Sequence, residues 1–249
     1  MNTYEYIIYL INYIGDCKMK INNEHYAIQN KTTRFYKSPN LIRDVSNYKF
    51  KVLKPSTNKK LGKRVNKGHL RDARMYTLTL IERETCTDEC EHWFDCYGNN
   101  MMYAHKFEVN AKFMKRLEQD IKELNNKQKK FLVRLHVLGD FNSKEYVEFW
   151  DRMLSENEYL YIYGYTRNHI NSKYKNIRSI GKAIVKTRVK YEDRFAIRFS
   201  NAINEEFSAN SEELTDKGIT CLAQVKESVS CVDCTLCWAS KKSVRFLTH

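Results

Sequence analysis

The sequence predicts an α/β fold built on a parallel sheet. Apolar runs of strand length alternate with stretches of helical periodicity, and strand, helix, strand, helix, strand is the order that right-handed βαβ units require. At 249 residues and 42% hydrophobic, the chain can bury a substantial core. Two prolines and eight glycines leave no low-complexity tract.

The first apolar run, Tyr4 to Ile14, lacks a basic leader and a small-residue cleavage site, and carries Glu5 within it. It is too short to span a bilayer, so residues 1–48 read as an N-terminal packing segment of a cytoplasmic protein with no membrane contact. Residues 49–74, "KFKVLKPSTNKKLGKRVNKGHLRDAR", are basic and poor in large apolar residues, as expected of an arm or linker. An α/β core is expected over 75–215, and a cysteine-rich segment over 216–249.

Within the core, "MYTLTLI" (Met75 to Ile81) alternates and is β-branched, which predicts a strand. From Phe107 to Asn126, Phe113, Met114, Leu117, Ile121 and Leu124 recur at helical steps and mark one buried face. "FLVRLHV" (Phe131 to Val137) is nearly continuous in apolar character, like a strand covered on both sides. The turn "LGDFN" leads to a helix with Asn142 as its expected N-cap and Tyr146, Phe149, Trp150, Met153 and Leu154 on its apolar face. "YLYIYGY" (Tyr159 to Tyr165) predicts a third strand. A helix or strand is expected around Ile180 to Val189, and "RFAIRFS" (Arg194 to Ser200) predicts a further strand.

Parallel α/β folds collect function beyond the C-terminal ends of their strands. A cysteine loop, Gly139-Asp140 and Thr166-Arg167-Asn168 all fall at such ends. His136 reads as a proton carrier or a core histidine. Asp140 reads as a ligand contact, or as a charge favoured near the next helix N-terminus. Arg167 and Asn168 suit a carboxylate or phosphate, for which arginine offers a bidentate fork.

In a reducing compartment cysteines are metal ligands or reactive thiols rather than disulfides. Cys221, Cys231, Cys234 and Cys237, in "CLAQVKESVSCVDCTLCW", offer four thiolates, enough for a closed zinc site or a 4Fe–4S cluster. Their consecutive C-x2-C steps stand nearer the ferredoxin pattern than a zinc ribbon. Cys86, Cys90 and Cys96, in "CTDECEHWFDCYG", offer three. His92 or His105 would complete a zinc site, whereas an iron–sulfur cluster on three cysteines keeps one iron open to a small molecule. Tyr97 and Trp238 each follow a ligand cysteine and are expected to shield it. Cys17 stands apart and reads as a buried thiol.

The net charge of +13 attracts polyanions, so nucleic acid is a conceivable partner through the basic arm, against the plainer alternative of a solvated face.

In order from Thr57 to Trp238, "TNKKLGKRV", "CTDECEHWFDCYG", "RLHVLGDFNSKEYVEFW", "YIYGYTRN" and "CVDCTLCW" together resemble the phage and plasmid gene product 88 family. The layout also resembles, distantly, the radical S-adenosylmethionine (SAM) superfamily. That resemblance implies a parallel βα partial barrel with Cys86, Cys90 and Cys96 holding an open 4Fe–4S cluster. Gly139 and Asp140 would contact the SAM amino group, and the downstream cysteines would hold an auxiliary cluster. The last gap of the upstream cysteines is five residues where that superfamily usually has two, and its glycine-glycine-glutamate element is reduced to Leu138-Gly139-Asp140. The expected function is thus an iron–sulfur enzyme cleaving SAM in the host-cell cytoplasm, with His136 and Asp140 as candidate catalytic residues. The competing expectations are a zinc-stabilised nucleic-acid-binding protein without enzymatic activity, and an electron-transfer module.

Overall fold

Between Leu41 and Phe246 the chain forms ten strands and seven α-helices among the described residues. The structure is a computed structural model that describes residues 40–247 apart from 88, 91, 93–95, 102, 204 and 205. The Tyr4–Ile14 run and Cys17 lie outside the described residues.

In chain order the elements are β1 (Leu41–Ile42), β2 (Lys54–Pro55), β3 (Arg74–Thr77), α1 (Glu82–Thr85), β4 (Lys106–Phe107), α2 (Ala111–Asn125), β5 (Phe131–Leu135), α3 (Lys144–Glu156), β6 (Leu160–Thr166), α4 (Lys175–Lys190) and β7 (Phe195–Ser200). Then follow β8 (Ser208–Ser211), β9 (Ile219–Thr220), α5 (Leu222–Val225), α6 (Cys231–Cys234), α7 (Leu236–Ala239) and β10 (Val244–Phe246). An eight-stranded sheet runs β2-β3-β5-β6-β7-β8-β10-β9, parallel throughout except for the antiparallel β2–β3 pair. β1 and β4 form a separate parallel pair. The large sheet is not closed into a barrel.

From β3 to β8 each new strand of the large sheet adds beside its predecessor, so the crossovers keep one hand. The helices α2, α3 and α4 bury Phe113, Leu117, Trp150, Met153, Leu154 and Ile184 against Val133, Leu135, Ile162, Phe195 and Ile197. Each fully buried large side chain contributes about 1.5–3 kcal/mol. Strand alternation turns Leu132, Tyr163 and Ala196 to the opposite face, where they meet Cys221, Cys237, Trp238 and Val244.

Local chemistry sets the helix starts. Asn110 accepts from the Phe113 amide and opens α2. Ser143, not Asn142, caps α3, accepting from the Tyr146 amide at 3.2 Å. Asn142 and Ser143 are both good capping types, and the bonding register decides between them. The uncertain 180–189 segment is helical, within α4.

The basic stretch 49–74 does not project as an arm. Val52, Leu53, Val65 and Leu70 are buried. Asp120 of α2 accepts from the amides of Val52 and Leu53 at 2.5 and 3.2 Å. Further on, the carbonyls of Lys60 and Leu61 accept from the amides of Cys231 and Val232 at 2.7 and 3.1 Å. The stretch is a strap laid over the C-terminal cysteine segment. Apart from the exposed Phe50, its few apolar residues face inward while most of its lysines face water.

Candidate functional site

The three-cysteine loop leaves the sheet just after β3, and the ends of β5 and β6 close around it. Gly139 runs with φ +87°, and a methyl there would meet Thr85 Oγ1 at 2.5 Å and Leu80 Cβ at 2.7 Å. Only glycine lets the β5 exit press so closely on α1, one residue before Cys86. The Asp140 amide donates to Thr85 Oγ1 at 3.3 Å.

The Asp140 carboxylate is buried and accepts from the amides of Phe141 and Arg167, each at 2.7 Å. Burial raises its pKa to about 6, against the opposing pull of those hydrogen bonds. Asp140 therefore joins the β5 exit to the β6 exit. Arg167 Nε donates to the Glu89 carbonyl inside the cysteine loop at 3.0 Å, and its Nη1 donates to the Ser200 carbonyl at the end of β7 at 2.9 Å. Ser172 donates to Glu89 Oε1 at 3.1 Å. Asn168, buried, donates to the Phe141 carbonyl and Thr166 Oγ1 at 3.0 and 3.1 Å.

Cys86, Cys90 and Cys96 are free thiols within electrostatic reach of one another. Burial pushes all three pKa values up, Cys90 to about 11, and the Cys90 and Cys96 thiolates would raise Cys86 further, as Cys96 would Cys90. Asp140 adds to that repulsion at Cys86 and Cys90, while Arg167 relieves it at Cys90.

His92 lies within the cysteine loop with its backbone amide bonded to the Cys90 sulfur, while His105 and His136 stand elsewhere. His105 Nδ1 lies 2.6 Å from the Tyr48 hydroxyl and its ring packs on Tyr48 and Phe50, which places it in an aromatic cluster. His92 is exposed. His136 sits among Phe141 and Tyr146 on the helix side of the sheet, its Nε2 3.2 Å from the Tyr146 hydroxyl. Burial lowers its pKa to about 3, which keeps it neutral and fits the core-histidine alternative.

The four downstream cysteines line one small pocket with Ala223, Leu236, Trp238 and Val244. Every pair among Cys221, Cys231, Cys234 and Cys237 interacts electrostatically, and burial raises the pKa of Cys221, Cys237 and Cys231, the last to about 12. The Tyr165 hydroxyl lies 3.0 Å from Cys237 Sγ. Trp238 is buried against Tyr163, with ring centroids 4.8 Å apart, and lines the pocket. Tyr97 is 61% exposed and does not shield its cysteine in that way.

Arg198, unremarked in the sequence, holds this pocket in place. From the sheet face it donates to the carbonyls of Ser208, Leu236, Cys237, Ser240 and Lys242. An arginine on an inward position of an apolar strand is the signal that marks it. Glu82, Arg83 and Lys106 beneath the upstream loop are equally buried, and their charges read as surface residues in sequence.

Among the described residues, no three His, Cys, Asp or Glu side chains are arranged as the ligands of a metal ion. The donor chemistry nevertheless fits one. Among the described residues seven unpaired thiols gather into two groups, and burial opposes ionisation of Cys86, Cys90, Cys96, Cys221, Cys231 and Cys237, which a bound cation would compensate. Also among the described residues, no helix is long and apolar enough to cross a membrane.

Neither the curated proteins nor the solved structures contain a match to the chain. A family model described as gene product 88 matches residues 49–240, from the strap through the parallel sheet to the last cysteine pocket. The chain belongs to the gene product 88 family.

Proposed function

We propose that the protein is an iron–sulfur enzyme of radical SAM type, working in the host-cell cytoplasm, whose sheet is an open partial barrel. One observation carries this: three consecutive parallel-strand exits meet at one three-cysteine loop, through Gly139 against Thr85, Asp140 to Arg167, and Arg167 to Glu89. Cys86, Cys90 and Cys96 would hold a 4Fe–4S cluster, which supplies a site for SAM and the electron for its reductive cleavage. Arg167 braces the loop against β7 and leaves a positive charge beside Cys90. Asp140 orients the Arg167 backbone and acts on Cys86 electrostatically, while Gly139 packs against Thr85, the residue before Cys86. Cys221, Cys231, Cys234 and Cys237 would hold an auxiliary cluster in the apolar pocket, where Trp238 excludes water.

Anaerobic reconstitution with ferrous iron and sulfide, followed by dithionite and SAM, tests this directly. A brown protein that releases deoxyadenosine is expected, with release abolished by Cys86→Ala. A loaded protein that leaves SAM intact removes the enzymatic part and leaves an electron-transfer module.

A second reading has its own support. The strap carrying Lys59, Lys60, Lys63, Arg64 and Lys67 folds directly onto α6. A zinc-stabilised cysteine pocket under a basic strap would bind nucleic acid through phosphate contacts. Colourless protein containing zinc, with an RNA or DNA affinity that falls steeply with salt, would favour it.

A further inference from the structure

Lys106 is fully buried, as are Glu82 and Arg83 beside it. Lys106 Nζ donates to Glu82 Oε1 at 2.8 Å and to the Gly98 carbonyl at 3.2 Å. Arg83 Nη2 donates to Asn99 Oδ1 at 2.7 Å. Both cations lie beside the Glu82 carboxylate in the interior, where apolar residues would fill the space more cheaply.

The trio lies between the two ends of the cysteine loop. Glu82 and Arg83 open α1, shortly before Cys86. Gly98 and Asn99 belong to the turn Tyr97–Asn100, which Cys96 caps by accepting from the Gly98 amide at 3.4 Å. A methyl on Gly98 would meet Glu82 Oε1 at 2.3 Å, so the loop's two ends are pressed together over the buried charges.

We propose that Lys106, supported by Arg83, is a positioning residue for the three-cysteine loop: it clamps the Tyr97–Asn100 turn that carries Cys96. That the clamp positions a metal ligand rests on Cys86, Cys90 and Cys96 holding metal, as proposed above. The clamp itself stands without metal.

The test compares Lys106→Met, Lys106→Arg and the double variant Glu82→Gln/Lys106→Met, which leaves no unpaired carboxylate and guards against simple misfolding. In the metal-free full chain, hydrogen exchange of the Asn99 and Met101 amides should quicken in both methionine variants and return to normal in the arginine variant. After anaerobic loading with ferrous iron and sulfide, a chelator is added and released cysteines are alkylated and mapped. Cys86, Cys90 and Cys96 should be released roughly 10- to 100-fold more readily in the methionine variants, with the four downstream cysteines unchanged.

Unchanged amide exchange in a folded double variant overturns the clamp. Changed exchange with unchanged release overturns the positioning of Cys96 for metal. An unsubstituted protein that takes up no iron on Cys86, Cys90 and Cys96 defeats the iron–sulfur proposal, while amide exchange still decides the clamp.

Discussion

The two cysteine groups are both reached from β6 but are held by opposite means. Arg167, just past the strand end, braces the upstream loop together with Asp140, and Lys106 lies beneath it, so that group is set among charges. Tyr165, within the strand, reaches Cys237 in a pocket of Leu236, Trp238 and Val244, which Arg198 holds through backbone carbonyls. A charge-lined loop at the strand exits suits a centre that exchanges ligands. An apolar pocket covered by tryptophan and a strap suits one that stays closed.

The sharpest way to break this contrast is at Arg198. Arg198→Met strands five carbonyls that it satisfies, and should cost about 3–5 kcal/mol in urea unfolding. Hydrogen exchange should quicken over α6 and α7 while the loop after β3 keeps its protection. Equal loss in both regions would show that the two groups are not separately supported.

Gly139→Ala tests the other side. A left-handed backbone and contacts at 2.5 and 2.7 Å make it costly, by about 2 kcal/mol in thermal or denaturant unfolding. Metal retention should fall at Cys86, Cys90 and Cys96 and not at the downstream four.

His136 sharpens the boundary between core and site. Its pKa is about 3 when folded and near 6.5 when unfolded, so the unfolded chain binds the extra proton between those values. Its contribution is intact above pH 6.5 and is lost as pH falls toward 3. Between pH 6.5 and 5 the loss attributable to this group is about 2 kcal/mol, and His136→Gln should remove that part of the pH dependence. If instead His136→Gln leaves the pH dependence of stability intact and abolishes SAM cleavage, His136 belongs to the chemistry.

Much of the architecture was legible because it is local. The alternation in "MYTLTLI" and the helical stripe from Phe113 to Leu124 correspond to β3 and α2, and their order predicted a parallel sheet. The grouping of the cysteines and the meeting of Gly139, Asp140, Arg167 and Asn168 at strand ends were legible for the same reason. Pairing across distance was not. Glu82 and Lys106 look like surface charges until a contact 24 residues apart buries both. Val65 and Leu70 are too sparse among lysines to announce that the basic stretch packs. Arg198 shows its role only when five carbonyls from β8 to the α7 exit arrive around it.

The central claim is that the two cysteine groups hold two distinct iron–sulfur centres. Anaerobic iron and sulfide quantitation of the full chain tests it most directly, alongside a Cys86/Cys90/Cys96 triple alanine variant and a Cys221/Cys231/Cys234/Cys237 quadruple alanine variant. Two clusters are predicted for the unsubstituted protein and one for each variant, with SAM cleavage lost only in the triple variant. Colourless protein that takes up zinc but neither iron nor sulfide would contradict it.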